Sequence, residues 1–329
     1  MDSKKWFKQA KFGMMVHFGL YSVLGGEWKG KRAEKISEWI QQQFQIPNAE
    51  YEKLAEVFNP VFFDAEDYVK LAKELGMEYI VVTAKHHEGF SLFHSKASKF
   101  NVVDATPFKR DIIKEYADAC RKYGLKFGLY YSQEMDWHEP NGGGREWPPD
   151  ENLVETVYWE NKWDFPSDNK DFSEYFYGKV MPQVEELLTN YGDICLIWFD
   201  NPWVITPGQS QELFELVKRL QPNCLVNSRI GNECGDYTST EDNGYLYEVK
   251  KGELVECPAT LSTNDNWGYN SFDEKWRTAD EIVDIKEKLN ASGINYLLNV
   301  GPDSLGRIPV RALNILKEVA VKLKNKQIN

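Results

Sequence analysis

An aspartate closes a short apolar run in this chain. Residues 194–199 read Ile-Cys-Leu-Ile-Trp-Phe, the pattern of a strand buried on both faces, and Asp200 follows directly. A carboxylate at the carboxyl end of a strand is held by stiff backbone, at the sheet edge where α/β proteins carry their chemistry. Because an aspartate before Asn-Pro also commonly caps a turn, the rest of the chain has to decide between these interpretations.

Further polar side chains follow or end other apolar runs. Three histidines, one tyrosine and one arginine occupy such positions, and three glutamates lie in or near the later runs. In a parallel barrel the carboxyl ends of all strands meet at one mouth, so these side chains would face a common site. They are His17, His86, His87, Tyr130, Arg229, Glu241, Glu256 and Glu274.

Apolar and amphipathic segments alternate along the chain, which is typical of a parallel α/β fold. We predict strands at residues 12–18, 79–84, 126–132, 194–199, 224–227, 254–259 and 295–300. Helices are predicted at residues 65–75, 111–123, 172–191, 211–220, 279–291 and 310–324. Seven strands with room for an eighth, and no G-x-G-x-x-G after any of them, favour a (β/α)8 TIM-type barrel, not necessarily a regular one, over an open Rossmann sheet. We predict a single domain over residues 1–329, with a long loop at 133–171.

The composition limits the classes of partner and the cellular location. With 39 basic and 51 acidic residues the net charge is −12, which argues against nucleic acid or an anionic membrane and favours a neutral or cationic substrate. The first residues lack the apolar core of a signal peptide, and no apolar stretch reaches the roughly 20 residues of a membrane span. Five cysteines without a CxxC pair lead us to expect a reducing, cytoplasmic location.

The histidines leave two kinds of site open. A metal-dependent barrel hydrolase could use His17, His86 and His87, but the first strand has a single histidine, and adjacent residues point to opposite faces of a strand. We therefore expect no metal and no other cofactor. The same residues can bind a ligand rich in hydroxyl groups, and the high aromatic content, 14% with 11 tryptophans, suits stacking on sugar rings. A glycosidase with two carboxyl groups is favoured, and a non-catalytic sugar-binding module is the other alternative.

Short motifs along the chain match one enzyme family when they are taken together. They are Lys-Phe-Gly-Met-Met-Val-His-Phe-Gly at 11–19, Thr-Ala-Lys-His-His-Glu-Gly-Phe at 83–90, Gly-Leu-Tyr-Tyr-Ser at 128–132, Trp-Phe-Asp at 198–200, Asn-Ser-Arg at 227–229, Asn-Trp-Gly-Tyr at 266–269 and Leu-Leu-Asn-Val-Gly-Pro at 297–302. On these motifs the chain resembles the α-L-fucosidases of glycoside hydrolase family 29. The resemblance covers nearly the whole chain. Within the family, the chain is most similar to small bacterial intracellular α-1,6-L-fucosidases.

The resemblance implies a retaining exo-hydrolase that releases terminal α-L-fucose from a fucosylated oligosaccharide or glycoside. Asp200 matches the nucleophile of the family, and Trp267 is a candidate for the apolar wall of the site. The general acid/base varies within the family, so Glu274, Glu256 and Glu241 all stay candidates, in that order of preference. The positions that match the binding site for the fucose ring are His17, Glu38, Trp39, His86, His87, Tyr130 and Arg229.

The resemblance also bears on the leaving group and on assembly. Asn243 is a candidate contact for the leaving sugar. Members of the family commonly carry a C-terminal β-sandwich, which we do not find in this sequence, so a neighbouring subunit is expected to cover that side in a homo-oligomer. The sequence leaves the preferred fucosyl linkage open.

Overall fold

Eight parallel strands form one curled sheet in the computed structural model, which describes residues 2–142, 161–166 and 169–328. We number the strands in chain order: β1 Phe12–Val16, β2 Tyr79–Lys85, β3 Lys126–Tyr131, β4 Leu196–Phe199, β5 Leu225–Val226, β6 Thr238–Ser239, β7 Val255–Thr260 and β8 Ile294–Val300. The order across the sheet is β5-β4-β3-β2-β1-β8-β7-β6.

The two outer strands of this order meet and close the barrel. Asn227, directly after β5, forms a parallel bridge with Tyr237, directly before β6. The backbone N–H of Ser228 donates to the Tyr237 carbonyl over 2.8 Å. Neighbours in space are therefore neighbours in the chain, and the predicted (β/α)8 barrel is confirmed. All seven predicted strands are present, and β6 is the eighth.

Seven longer helices surround or cover the sheet in the described part of the chain. They are α1 Ser3–Ala10, α2 Ala65–Glu74, α3 Ile112–Tyr123, α4 Met181–Asn190, α5 Pro207–Leu220, α6 Ala279–Ala291 and α7 Val310–Ile328. Both α5 and α6 begin with a capping box, in which Thr206 or Thr278 exchanges hydrogen bonds with the residue three positions on. Within the described residues, no helix has the length and apolar character needed to span a membrane.

Two helix predictions needed correction. The segment predicted as one helix over 172–191 consists of a short helix Phe172–Tyr175, a π-helical turn Phe176–Val180 and α4. Pro182 lies in the first turn of α4, and because proline has no N–H it cannot donate to the carbonyl of Gly178. The helix predicted to begin at 211 begins at Pro207, a residue that fits a first turn for the same reason.

Helix α1, which was not predicted from the sequence, packs across the amino-terminal end of the barrel. Its Trp6 and Phe7 rings lie 5.8 Å from Tyr79 and 4.5 Å from Tyr237, measured between ring centroids. Burial of each aromatic side chain contributes about 1.5–3 kcal/mol to the free energy of unfolding.

The connections at the other end of the barrel are longer. The β1–α2 connection contains short helices at Tyr21–Leu24, Ile40–Gln43, Asn48–Tyr51 and Lys53–Val57, a 3-10 turn Ser37–Trp39 and an antiparallel ribbon of Glu27–Trp28 with Lys31–Arg32. Another 3-10 turn, Ser228–Ile230, follows β5. Of the long loop predicted at 133–171, residues 143–160 and 167–168 lie outside the described residues.

Candidate active site

A cavity of about 300 Å³ lies at the carboxyl-terminal mouth of the barrel. This is the end at which barrel enzymes carry their reactive groups, because the strand ends hold side chains rigidly while the loops vary. Nine residues predicted for the site line its wall: His17, Glu38, Trp39, His86, His87, Tyr130, Asp200, Arg229 and Trp267. The wall also contains residues that were not predicted from the sequence, among them Ile36, Asn201, Asp242 and Asp265.

Asp200 follows β4 and is held from several directions. Its backbone N–H donates to the Gln133 side chain over 2.8 Å. Its carboxylate accepts hydrogen bonds from the Tyr130 hydroxyl over 2.8 Å and from Arg229 Nη1 over 3.0 Å. Burial raises the pKa of Asp200, and the Arg229 guanidinium opposes that rise. The result is a buried carboxylate with a fixed orientation and a paired charge.

Arg229 joins two carboxylates of the cavity wall. Its Nη1 donates to Asp200, and its Nη2 donates to Asp242 Oδ1 over 2.5 Å and to the Thr240 carbonyl over 2.8 Å. The guanidinium also lies over the Trp198 ring, 4.6 Å from its centroid. One planar guanidinium therefore binds both carboxylates and holds them in the same part of the cavity wall.

The three cavity histidines are neutral. Burial lowers the pKa of His17 to about 4 and the pKa values of His86 and His87 well below the usual range. His17 and His87 each contact a buried polar side chain through Nδ1, at 2.7 Å from Asn299 Oδ1 and 2.7 Å from Ser132 Oγ. Neutral imidazoles of this kind suit hydrogen bonding to hydroxyl groups. In the described part of the chain, no group of three or more His, Cys, Asp or Glu residues is arranged to hold a metal ion.

Glu38 connects two loops of the cavity wall. It lies in the 3-10 turn Ser37–Trp39, and its carboxyl accepts hydrogen bonds from the backbone N–H groups of Trp267 over 3.1 Å and Gly268 over 2.9 Å. Burial raises the pKa of Glu38 to about 8, and the backbone donors oppose the rise. A carboxyl that stays protonated near neutral pH can donate a hydrogen bond to a ligand without presenting a charge.

None of the three glutamates predicted as general acid/base is part of the cavity wall. Glu256 is the second residue of β7, so its side chain lies inside the barrel and not at the mouth. There it accepts hydrogen bonds from the Tyr79 hydroxyl over 2.5 Å and from Trp198 Nε1 over 3.0 Å. Glu274 and Glu241 are exposed on loops. Their role in proton transfer stays a prediction, whereas the structure puts Asp242 and Asp265 in the wall.

Asn243 also lies outside the wall, and its side chain is engaged within the protein. Its Oδ1 accepts hydrogen bonds from the Tyr245 hydroxyl, the Thr260 backbone and Arg277, over 2.9, 3.1 and 3.0 Å. Its Nδ2 donates to Asp265 over 3.0 Å. These bonds fix the loop that carries Asp242, so Asn243 holds that loop in place without lining the cavity. Its predicted contact with the leaving sugar stays a prediction.

Asp242 was missed because the strand before it was missed. The two-residue strand β6 lies in a polar stretch, Asp-Tyr-Thr-Ser-Thr at 236–240, that has no apolar run to mark it. Had β6 been recognised, Asp242 would have been a strand-end carboxylate in the same sense as Asp200.

The barrel and its cavity define a hydrolase that acts on carbohydrates: carboxylates bridged by an arginine face neutral histidines and aromatic rings. Comparison with known proteins gives the family. A family model described as alpha-L-fucosidase matches residues 1–327, and the chain belongs to the α-L-fucosidase family of glycoside hydrolases.

Individual proteins similar to this chain are also α-L-fucosidases. The chain is similar to the alpha-L-fucosidase AlfC from Lactobacillus casei, solved in complex with its α-L-fucose product, with 49% identity, a TM-score of 0.93 and coverage of 100% of both chains. A D200A form of AlfC in complex with Fucα(1,6)GlcNAc gives 48% identity, a TM-score of 0.93 and the same coverage. The tissue alpha-L-fucosidase of Rattus norvegicus is 29% identical over 94% of this chain, which spans 66% of the length of the rat protein.

Replacing Arg229 is expected to change the pH dependence of activity. In Arg229→Gln the charge that opposes desolvation is lost, so the pKa of Asp200 rises further. Because Asp200 is predicted to act as a carboxylate nucleophile, the acidic limb of kcat/KM on an aryl α-L-fucoside should move to higher pH. The rate at neutral pH should fall about 10²-fold, because the buried Asp200 carboxylate loses its charged partner. Arg229→Lys is the control: it keeps the charge, so its acidic limb should stay near the wild-type position although its rate falls. An unmoved limb in Arg229→Gln contradicts this role.

Glu256 is expected to make stability depend on pH. Burial raises its pKa from 4.5 to about 7 in the folded protein. The stability associated with its protonated form is complete below about pH 4.5 and is lost as the pH rises through about 7. Glu256→Gln mimics the protonated carboxyl, so its free energy of unfolding should fall less over this range, by about 3 kcal/mol. Denaturant unfolding across the range measures the difference. Parallel curves for variant and wild type would refute it.

Proposed function

We propose that the chain is a retaining exo-α-L-fucosidase, which hydrolyses terminal α-L-fucosides through a covalent fucosyl-enzyme. One observation carries this proposal: in a member of the α-L-fucosidase family, Arg229 joins Asp200 and Asp242 in the wall of one cavity. Neutral histidines and aromatic rings complete a surface suited to an uncharged deoxy-sugar.

Asp200 supplies the nucleophile. In the first step one of its oxygens bonds to the anomeric carbon while the bond from that carbon to the aglycone oxygen breaks. Asp200 suits this step because its position after β4 is rigid, and because Tyr130 and Arg229 stabilise its negative charge before attack. In the second step water attacks the same carbon and displaces Asp200, so fucose leaves with retained configuration.

Asp242 supplies the proton in the first step and removes one from water in the second. Glu38 is fully buried and engaged by two backbone donors, and Asp265 is held by Asn243. Asp242 keeps its side chain 45% exposed at the rim, where an aglycone must leave. When Asp200 becomes an ester, Arg229 keeps its hydrogen bond to Asp242, which holds this carboxyl in place for the second step.

The substrate class proposed is a fucosylated glycoside, with α-1,6-linked fucosyl-GlcNAc as one member. Support comes from the Lactobacillus casei relative, whose D200A form is solved with Fucα(1,6)GlcNAc at 48% identity to this chain. The experiment is a panel of α1,2-, α1,3-, α1,4- and α1,6-linked fucosides, and a product analysis that excludes α1,6 cleavage would remove this part of the proposal.

Fucose release followed by NMR tests the proposal as a whole. Signals of the α anomer should appear first and equilibrate afterwards, as retention requires. Immediate formation of the β anomer contradicts the double displacement. Fucose binding without release would favour the sugar-binding module, and activity abolished by a chelator and restored by a metal ion would favour the metal-dependent hydrolase.

We also propose a cytoplasmic, homo-oligomeric protein with one domain over residues 1–329. The five cysteines are free, which fits a reducing compartment. Val57, Val61 and Phe62 expose 64%, 55% and 60% of their surface within a short segment, which fits a subunit contact. One sheet is built from strands spread over residues 12–300, which fits one domain. Light scattering of the purified protein measures the oligomeric state.

A further inference from the structure

Two residues of the family motifs, Ser132 and Asn299, are not part of the cavity wall. Ser132 directly follows β3, and Asn299 lies in β8; both are buried, and each contacts a cavity histidine from the side away from the cavity. We propose that Ser132 and Asn299 are positioning residues that fix the tautomers of His87 and His17, so that both rings present an unprotonated Nε2 to the substrate. This inference rests on the proposed function for its catalytic consequence, but not for its geometry.

The proton on His87 is assigned by the partner of Ser132. The Ser132 hydroxyl donates to the Met135 carbonyl over 2.8 Å, and a carbonyl oxygen can only accept. Since a hydroxyl has one proton, Ser132 Oγ must accept from His87 Nδ1, which lies 2.7 Å away. A neutral imidazole has a single N–H, so His87 Nε2 carries a lone pair. Asn201 Nδ2 lies 3.3 Å from that nitrogen and supplies a matching donor.

Asn299 assigns the proton on His17 in the same way. Its Nδ2 donates to the Trp267 carbonyl over 2.7 Å, which fixes the orientation of the amide. Its Oδ1 then faces His17 Nδ1 at 2.7 Å and can only accept. His17 therefore carries its proton on Nδ1. Because burial keeps His17 and His87 neutral, this arrangement leaves both Nε2 atoms as acceptors.

Acceptors at these two points have consequences for binding and for the nucleophile. His17 Nε2 can accept a hydrogen bond from a hydroxyl group of the sugar, and His87 Nε2 can do so when a sugar hydroxyl takes the place of Asn201 Nδ2. The two histidines therefore select hydroxyl donors at two places on the ring. His87 Nε2 also lies 3.8 Å from Asp200 Oδ2. A proton on Nε2 would replace this lone pair with a donor, so His87 could no longer accept from a sugar hydroxyl next to the nucleophile. Ser132 thus keeps His87 Nε2 an acceptor beside Asp200.

The direct test is a tautomer measurement on the wild-type protein without substrate. The chain has five histidines, so ¹⁵N-labelled imidazoles can be followed by long-range ¹H–¹⁵N correlation. His17 and His87 should both show a protonated Nδ1 and an unprotonated Nε2. Protonation of His87 at Nε2 overturns the inference even if the protein hydrolyses fucosides. Conversely, a protein with these tautomers that releases no fucose refutes the proposed function and leaves the positioning intact.

Variants test the catalytic consequence. In Ser132→Ala the acceptor behind His87 is lost, so part of the His87 population should move its proton to Nε2 and kcat should fall by at least about tenfold. Ser132→Thr keeps a hydroxyl and should restore both the Nδ1 tautomer and most of kcat. A Ser132→Ala protein that loses activity while His87 keeps its proton on Nδ1 shows a structural role only and overturns the proposal. In Asn299→Ala the same readout on His17 should be accompanied by a raised KM.

Discussion

Asp200→Ala is expected to lower kcat on an aryl α-L-fucoside by about 10³-fold or more, because it removes the atom that bonds to the sugar. The fold should survive, since the barrel core does not depend on this carboxylate. Added azide should enter the vacated space and release β-fucosyl azide, a product of inverted configuration. Asp118→Ala, on the outer helix α3, is a matched control and should keep wild-type kcat. Activity near the wild-type level in Asp200→Ala would remove Asp200 from the mechanism.

Asp242→Asn is expected to show a loss that depends on the leaving group. A general acid matters most when the departing oxygen is a poor leaving group, so the variant should lose about 10³-fold on an α-1,6-linked disaccharide. On an activated nitrophenyl fucoside, which needs little protonation, the first step should lose about tenfold or less.

Three glutamate variants are the comparison for this prediction. Glu274→Gln and Glu241→Gln change exposed residues, and Glu256→Gln changes a residue inside the barrel. Each should lose similar factors on both substrates. If the large difference between substrates appears in Glu274→Gln and not in Asp242→Asn, the proton donor comes from the loop after β7 and the proposed role of Asp242 is wrong.

The parts of the fold that the sequence predicts are those with a strong apolar pattern. Seven strands were recognisable because their side chains are buried on both faces, and Asp200 stood out because it interrupts such a run. The strand β6 was not recognisable, since two residues in a polar stretch carry no periodic pattern. The closure of the barrel at β5 and β6 depends on that strand, so only the structure shows it.

The site was predictable where a residue type and a strand end coincide. His17, His86, His87 and Tyr130 occupy such positions and all line the cavity. The same reasoning wrongly placed Glu256 at the mouth of the barrel. Glu256 is the second residue of its strand, so its side chain stays inside the barrel. The roles of Ser132 and Asn299 depend on which atom donates to which carbonyl, and the order of residues carries no information about that.

The most direct measurement is covalent trapping with a 2-fluorinated fucosyl donor that has an activated leaving group. The fluorine slows both steps, and the reactive leaving group allows the first step to proceed, so the fucosyl-enzyme accumulates. Digestion and peptide mass mapping should then locate one fucosyl group on Asp200. A label on another residue, or turnover without any labelled peptide, would contradict a mechanism in which Asp200 bonds to the sugar.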